Sequence, residues 1–130
     1  MAKKKTLKQL KALADKHFSL AIRLRDTTDG WGDCITCGNR LNVKQLHAGH
    51  FQSRRHSSTR YDEENVNAQC AGCNTFRAGE QYKYGLALDD KYGRGTAKKL
   101  AKKAQEYHKF TDDELLEIIH DSKEQIKFYS

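Results

Sequence analysis

The chain has 130 residues, which suits a single domain and is too short for two independent hydrophobic cores. Charged residues make up 32% and hydrophobic residues 37%, and no apolar run approaches the roughly 18–20 residues of a membrane helix, so a membrane-spanning protein is excluded. The net charge of +7 favours a polyanionic partner, most often nucleic acid. The lysine-rich start lacks the apolar segment of a signal peptide, so we expect a cytoplasmic protein.

The N-terminal half is predicted to contain one helix followed by extended and irregular segments. Residues 6–25 carry apolar side chains at helical spacing, which predicts a first helix. The turn-rich string from Asp26 to Gly30 ends it. Residues 41–51 have a β-compatible centre and are predicted to form an extended hairpin arm. Residues 52–64 are rich in serine, arginine and acidic side chains and are predicted to form a loop.

The segment after the last cysteine is predicted to be helical with one break. A short helix begins near Asn74, is interrupted near Gly79, and resumes as far as Tyr92. Three tyrosines stand at helical intervals in this segment and are expected in the core: Tyr82, Tyr84 and Tyr92.

Two further helices are predicted at the C-terminal end. Thr96 is expected to cap a helix that runs through Tyr107. Thr111 and Glu114 have the spacing of a capping box and predict the start of the last helix. The apolar face of that helix belongs either to the core or to a dimer interface, and it carries Ile118, Ile119 and Ile126.

The four cysteines form two CxxC pairs, Cys34 with Cys37 and Cys70 with Cys73. In a reducing compartment, such twin pairs bind zinc far more often than they form disulfides. Four thiolates complete the tetrahedron that structural Zn2+ prefers and leave no position open for a substrate. Buried or redox-active cysteines are the alternative, but a redox CxxC does not need a second pair.

Thirty-two residues separate the two pairs, which is longer than in many simple zinc modules. The interval holds basic and amide side chains, and a further amide, Asn74, directly follows the second pair; those within the interval are His47, His50, Arg54, Arg55, Arg60 and Asn65. Hydrolysis of a phosphodiester requires a base for water, a divalent cation for the phosphate charge, and cations for the backbone. The interval therefore contains the residue types of a metal-dependent nuclease. A packed or surface histidine is the alternative for His50, and a hydrogen bond that supports the fold is the alternative for His47.

The ordered motifs of this region resemble those of one family. They are CITCG at 34–38, HAGHF at 47–51, Arg54, RYDEENV at 60–66, QCAGCN at 69–74 and Gly79. In this order they resemble the NinG/Rap recombination endonucleases of lambda-like phages, within the HNH or His-Me finger superfamily. The likeness extends upstream to residues 18–26 and downstream to about residue 93.

The resemblance implies an α+β fold with a treble-clef-like ββα-metal core, stapled by a four-cysteine structural zinc and flanked by helices. It divides a single domain of residues 1–130 into an N-terminal helix (1–30), the HNH-like core (31–93) and C-terminal helices (94–130). It further implies Mg2+- or Mn2+-dependent cleavage of branched DNA such as Holliday junctions or D-loops, in the host cytoplasm if the gene is phage-borne.

The resemblance also assigns roles to individual residues. His50 falls at the general base, Asn65 at the central asparagine that is expected to pin the loop bearing His50, and Asn74 at a ligand of the catalytic cation, with His47 as a second ligand. Gly49 stands where many HNH proteins have an acid, and His47 stands where relatives have aspartate. This softer set of ligands favours Mn2+, Ni2+ or Co2+.

DNA is the partner implied, and contacts to its backbone are expected from Arg54, Arg55, Arg60, Lys98, Lys99, Lys102 and Lys103. A solvated surface is the alternative for these charges. A homodimer would suit symmetric cleavage of a junction. Three other functions fit the same residues less fully: a non-catalytic zinc module that binds DNA or RNA, a general HNH nicking enzyme acting on duplex DNA, and a structural accessory protein.

Overall fold

The computed structural model describes residues 4–130 and shows an α+β fold, as predicted. The helices and strands follow in the order α1 (Leu7–Arg25), β1 (Thr27–Thr28), β2 (Trp31–Asp33), β3 (Arg40–Asn42), β4 (Leu46–His50), β5 (Val66–Cys70), α2 (Gln81–Tyr92), α3 (Thr96–Lys103) and α4 (Asp112–Tyr129). No helix within residues 4–130 combines the length and the apolar character needed to cross a membrane.

The two long helices at the ends of the chain pack against each other. Both begin with a capping box, in which a threonine hydroxyl accepts a hydrogen bond from the third helical residue: Thr6 caps α1 and Thr111 caps α4. Leu10 and Ala14 of α1 pack against Leu115 of α4 in one buried cluster. Ile118 and Ile119, candidates for core or interface, are packed in or against this same cluster.

A three-stranded antiparallel sheet follows α1, in the order β1-β2-β3. Asp29 and Gly30 connect β1 to β2, and both have positive φ, 54° and 83°. Two residues of this conformation form the turn that matches the twist of a tight hairpin. The connection from β2 to β3 carries the first cysteine pair.

The prediction of one continuous hairpin arm over residues 41–51 is wrong. A turn of 3-10 helix at Val43–Gln45 splits the segment, so that its first part is β3 and its second part is β4 of a separate sheet. Asn42 is the physical reason, because its side chain accepts a hydrogen bond from the backbone N–H of Lys44 and caps the turn. The predicted loop after β4 contains one further 3-10 turn, at Ser57–Thr59.

Strands β4 and β5 form a two-stranded antiparallel sheet that lies between α1 and α2. Phe18 and Ile22 of α1 pack against Val66 on one face. On the other face, the buried Tyr84 of α2 donates a hydrogen bond to the carbonyl of Gly49 at 2.5 Å. The sheet is thus held on both faces, and this fixes the strand that carries His47 and His50.

The helical segment after β5 is interrupted as predicted. A π-helical turn spans Gly72–Phe76, and α2 begins at Gln81 after three residues of positive φ that include Gly79. The prediction that Tyr82 lies in the core is wrong, because this side chain is 80% exposed while Tyr84 is fully buried. Residues two positions apart on a helix are rotated by about 200° around its axis, so the rings of Tyr82 and Tyr84 point in nearly opposite directions.

Helix α3 differs from its prediction at both ends. Thr96 is the first helical residue and not the cap, which is Gly95, and its hydroxyl donates to the carbonyl of Gly93. The helix ends at Lys103 instead of Tyr107. Ser58 explains the early end, because its hydroxyl donates to the carbonyl of Lys103 at 2.6 Å and turns the chain toward the loop after β4.

Candidate functional site

The two cysteine pairs come together at one end of the sheets. Cys34 and Cys37 lie in the connection between β2 and β3, Cys70 ends β5, and Cys73 lies in the π-helical turn. All four Sγ atoms lie within 4.8 Å of one another, and the sulfurs of Cys37 and Cys70 are 3.7 Å apart. Four sulfurs at about 2.3 Å from a tetrahedral Zn2+ are separated by roughly 3.8 Å. The geometry therefore fits one zinc ion.

The electrostatics of this cluster also fit a cation. Burial opposes ionisation of Cys34, but hydrogen bonds from the Thr36 hydroxyl and from backbone N–H groups lower the pKa of its thiol to about 6. Burial and the neighbouring sulfurs raise the pKa of Cys37 to about 12. Four thiolates this close repel one another, and a divalent ion removes that repulsion. Within residues 4–130 this is the one cluster of three or more histidine, cysteine or acidic side chains placed to hold a metal.

A cleft of about 930 Å3 lies beside β4. Its walls come from α1, from the loop after β4, and from the segment between the second cysteine pair and α2. Residues from both faces of β4 line it, so the cleft passes along the edge of β4 opposite β5. Four cationic side chains line it: Arg23, Lys44, Arg54 and Arg55. Among residues 4–130, Asp15 is the one acidic residue of the lining, so the cleft carries an excess of positive side chains.

His50 is the last residue of β4 and lines the cleft. Its Nε2 lies 3.0 Å from the backbone carbonyl of Arg60. A carbonyl only accepts, so Nε2 carries the proton and Nδ1 keeps its lone pair. Burial lowers the pKa of His50, and the charges of Arg54 and Arg60 act in the same direction, whereas the carbonyl and the charge of Asp15 oppose them.

Asn65 is fully buried and joins the two ends of the loop after β4. Its Nδ2 donates to the carbonyls of Gln52 and Thr59, each at 3.0 Å, and its Oδ1 accepts from the N–H of Gln52 at 2.8 Å. These three bonds use most of what an amide can offer. They fix the backbone at Gln52 and at Thr59, and with it the part of the loop between these two residues.

His47 and Asn74 meet on the other side of β4. The two residues at 47 and 50 are three apart on a strand, so they project from opposite faces. Asn74 Nδ2 lies 3.0 Å from His47 Nδ1, and both side chains line the cleft. An amide nitrogen only donates, so Nδ1 of His47 accepts this bond and the amide oxygen of Asn74 is left free. A metal that displaced the hydrogen bond would find one imidazole nitrogen and one amide oxygen as ligands.

The predicted DNA-contacting residues do not form one surface around the cleft. Arg54 and Arg55 line it. Arg60 does not point outward as a phosphate contact requires, because its guanidinium binds the carboxylate of Asp15 and is only 22% exposed. The four predicted lysines lie on α3, outside the cleft lining, where Lys99 pairs with Glu64 and Lys103 pairs with Asp62.

Two further residues shape the site, and neither was predicted from the sequence. Asp15 lines the cleft from α1, where an acid among lysines resembles any solvated helix residue. Gln69 is fully buried and its amide lies directly over Gly49, so that a Cβ at position 49 would collide with it. This explains why Gly49 replaces the acid expected before the base. The contact of Gln69 with Gly49 depends on the register of β4 on β5, which places Gln69 beside β4. The sequence contains no local signal for that register.

The sequence of the whole chain matches one family of known proteins. The family model described as "Bacteriophage Lambda NinG protein" matches residues 1–130. The chain belongs to the NinG family. No solved structure matches it.

The NinG relatives are longer than this chain. Protein ninG of Salmonella phage P22 is 27% identical over 95 residues, which are 72% of this chain and 46% of that protein. Protein ninG of Escherichia phage 933W is 34% identical over 62 residues, 47% of this chain and 30% of that protein, and the same values hold for Enterobacteria phage VT2-Sa. The chain thus spans less than half the length of these NinG proteins.

Proposed function

We propose that this NinG chain is an HNH-type, divalent-metal-dependent endodeoxyribonuclease that hydrolyses phosphodiester bonds. One observation carries the proposal: His50 is held by a backbone carbonyl on Nε2 and keeps a free Nδ1 at a cleft lined with arginine and lysine. An ordinary packed histidine needs neither the cationic cleft nor the fixed tautomer. A base that takes a proton from water needs a nitrogen that is free to accept it, and a DNA substrate needs a cationic cleft.

The order of elements around the cleft supports the HNH type. His50 ends the first strand of a hairpin, Asn65 immediately precedes the second strand, and Asn74 lies in the helical turn that follows. This order of strand, strand and helical turn supports the ββα core that the resemblance implies. The lowered pKa of His50 keeps its imidazole neutral and able to accept a proton near neutral pH.

His47 and Asn74 would hold the catalytic cation. Their exposure to the cleft fits a site that shares an ion with substrate and water, because only two protein ligands are supplied. When bound, such a cation stabilises the charge of the scissile phosphate and of the leaving oxygen. The mixed nitrogen and oxygen ligands favour Mn2+, Co2+ or Ni2+ beside Mg2+.

The proposed substrate is DNA, with its backbone held by Arg54 and Arg55. These contacts carry charge and no base recognition, so the cleft selects shape rather than sequence. Branched recombination intermediates, of the Holliday-junction or D-loop type, are the substrate class that the resemblance implies. The structural zinc would fix the turn that presents Asn74, since Cys73 precedes it directly.

Cleavage of labelled DNA tests the proposed function. The protein is incubated with a four-way junction and with a linear duplex of matched sequence, in Mg2+ and in Mn2+. We expect divalent-dependent cuts in the junction and weaker cutting of the duplex. Equal cutting of both substrates would favour a general nicking enzyme. Binding without cutting in any divalent ion would overturn the nuclease and leave a non-catalytic zinc module.

The loss of cleavage activity on acidification is expected to occur below pH 6.5. Only neutral His50 accepts a proton, and burial lowers its folded-state pKa from the ordinary value of 6.5. The acidic limb of kcat/KM against pH, measured at saturating divalent cation, is therefore expected to have its midpoint below 6.5. A midpoint above 6.5 would contradict this environment for His50. The same shift makes folding stability fall as the pH drops below 6.5, because the unfolded chain binds the proton more readily.

A further inference from the structure

The carbonyl that fixes His50 is itself held from α1. It belongs to the peptide bond between Arg60 and Tyr61, in the loop after β4. The side chains on both sides of that bond reach the same carboxylate, Asp15. One residue of α1 therefore determines where the hydrogen-bond acceptor of His50 lies.

The contacts of Asp15 use both of its oxygens. Oδ1 accepts from Arg60 Nε at 3.0 Å and from the Tyr61 hydroxyl at 2.9 Å, and Oδ2 accepts from Arg60 Nη2 at 2.5 Å. A bidentate arginine–carboxylate pair is among the strongest and most directional side-chain contacts. Arg54 Nη1 also lies 3.7 Å from Oδ2. With three hydrogen bonds and this further cation on its carboxylate, Asp15 is poorly placed to act as a metal ligand or a base.

Burial makes these contacts rigid. The side chains of Asp15 and Arg60 are 19% and 22% exposed, so little water competes for them. Hydrogen bonding to Asp15 raises the pKa of Arg60, and burial together with the charge of Asp15 raises the pKa of Tyr61, so both side chains stay protonated donors. The Tyr61 ring also packs edge-on against Phe18 at 5.6 Å between centroids. Arg60 Nη1 further donates to the carbonyl of Arg54 and closes the loop.

We propose that Asp15 is a positioning residue of the nuclease: through Arg60 and Tyr61 it holds the carbonyl that orients His50. This inference rests on the proposed function and extends the site beyond the ββα core to α1. The base must lie within hydrogen-bond reach of the attacking water, and a displacement of about 1 Å costs up to about 100-fold in rate. The tether therefore acts on turnover and not on DNA binding.

Asp15→Asn tests the tether by kinetics. The change keeps the shape of the side chain but removes its charge and one acceptor oxygen. We expect kcat to fall about 10–100-fold with KM unchanged or lowered, because removal of a negative charge from the cleft does not weaken DNA binding. Asp15→Glu, which keeps the charge, should recover part of kcat. Unchanged kcat in Asp15→Asn, with an active wild type, would overturn the inference and leave the nuclease standing.

Asp26→Asn is the matched control. Asp26 is also a largely buried carboxylate bound by an arginine, Arg25, but it does not line the cleft. This variant should lose a comparable amount of stability and keep kcat. Should both variants lose kcat equally, a general loss of stability would be the cause and the tether would be refuted. Tyr61→Phe removes one hydrogen bond without the charge, and a smaller fall in kcat is expected from it.

Imidazole NMR gives a readout that does not require activity. Long-range 1H–15N spectra of the free protein report which ring nitrogen of His50 carries the proton. We expect Nε2–H in the wild type and in Asp26→Asn, and a mixture of tautomers in Asp15→Asn. An unchanged Nε2–H signal in Asp15→Asn would refute the tether even if the wild type showed no cleavage, in which case the kinetics would refute the proposed function separately.

Discussion

Replacement of His50 by alanine is expected to slow DNA cleavage by about 10²–10⁴-fold, the usual contribution of a positioned general base. The His50 ring is fixed by the hydrogen bond from its Nε2 to the Arg60 carbonyl at 3.0 Å, and its other nitrogen is free to accept a proton. Binding of DNA should change little, because the cleft keeps its arginine and lysine side chains. Single-turnover cleavage of a labelled junction measures the rate, and a gel-shift titration measures the affinity.

His56→Ala is the control for this variant. His56 also lines the cleft, but its ring contacts only the side chain of Arg55, at 3.4 Å. We expect cleavage near the wild-type rate. His50→Ala removes one backbone hydrogen bond and costs about 1 kcal/mol of stability, so the protein should remain folded. A His50→Ala protein that cuts at close to the wild-type rate would remove this residue from the mechanism.

Loss of a zinc ligand is expected to unfold the domain. Structural zinc contributes an apparent free energy of about 10–16 kcal/mol in small zinc modules, which equals or exceeds the roughly 5–15 kcal/mol that holds an average domain folded. Cys34 and Cys73 are buried, so an unliganded thiolate at either position has no solvent to stabilise it. Cys34→Ser and Cys73→Ser should therefore lose both the metal and the cooperative thermal transition.

Metal analysis and thermal unfolding check this expectation. One zinc per chain is predicted in the wild type, and EDTA should abolish the cooperative transition seen by circular dichroism. Thr36→Val serves as the matched control, because its hydroxyl lies 3.3 Å from Cys34 Sγ without being a ligand. It should retain zinc with an affinity lowered by about 10–100-fold. Wild-type protein that melts at the same temperature with and without EDTA would refute the structural zinc.

The two expected results are separable because zinc and His50 act on different properties. The cysteines clamp β5 and the turn before α2, and so hold Asn74 beside His47. His50 ends β4, on the strand face opposite His47. Zinc loss should consequently abolish folding and cleavage together, whereas His50→Ala should abolish cleavage alone. This difference distinguishes a structural metal from a catalytic one.

The sequence by itself determined the elements whose signals are local. The capping box at Thr111 involves residues three positions apart, and α4 begins where that box predicts. The helical spacing of apolar residues over 6–25 likewise predicted α1, which spans Leu7–Arg25. Twin CxxC pairs predict one cluster because each pair brings its own two sulfurs together in a tight turn. The roles of His50, Asn65 and Asn74 were predicted from the resemblance of the ordered motifs to a family, and not from any local periodicity.

Only the tertiary structure decided the features that depend on contacts between distant segments. The end of α3 is set by Ser58, 45 residues away, and the short turn at Val43–Gln45 sends β3 and β4 into different sheets. Arg60 pairs with Asp15 because α1 lies against the loop, and these two residues are again 45 positions apart. Such pairings follow from how buried faces pack, and a side chain's partner across the chain leaves no periodicity in the sequence. Local sequence patterns thus determined which reactive and metal-binding side chains the protein has, and tertiary packing determined which other residues hold those side chains in position.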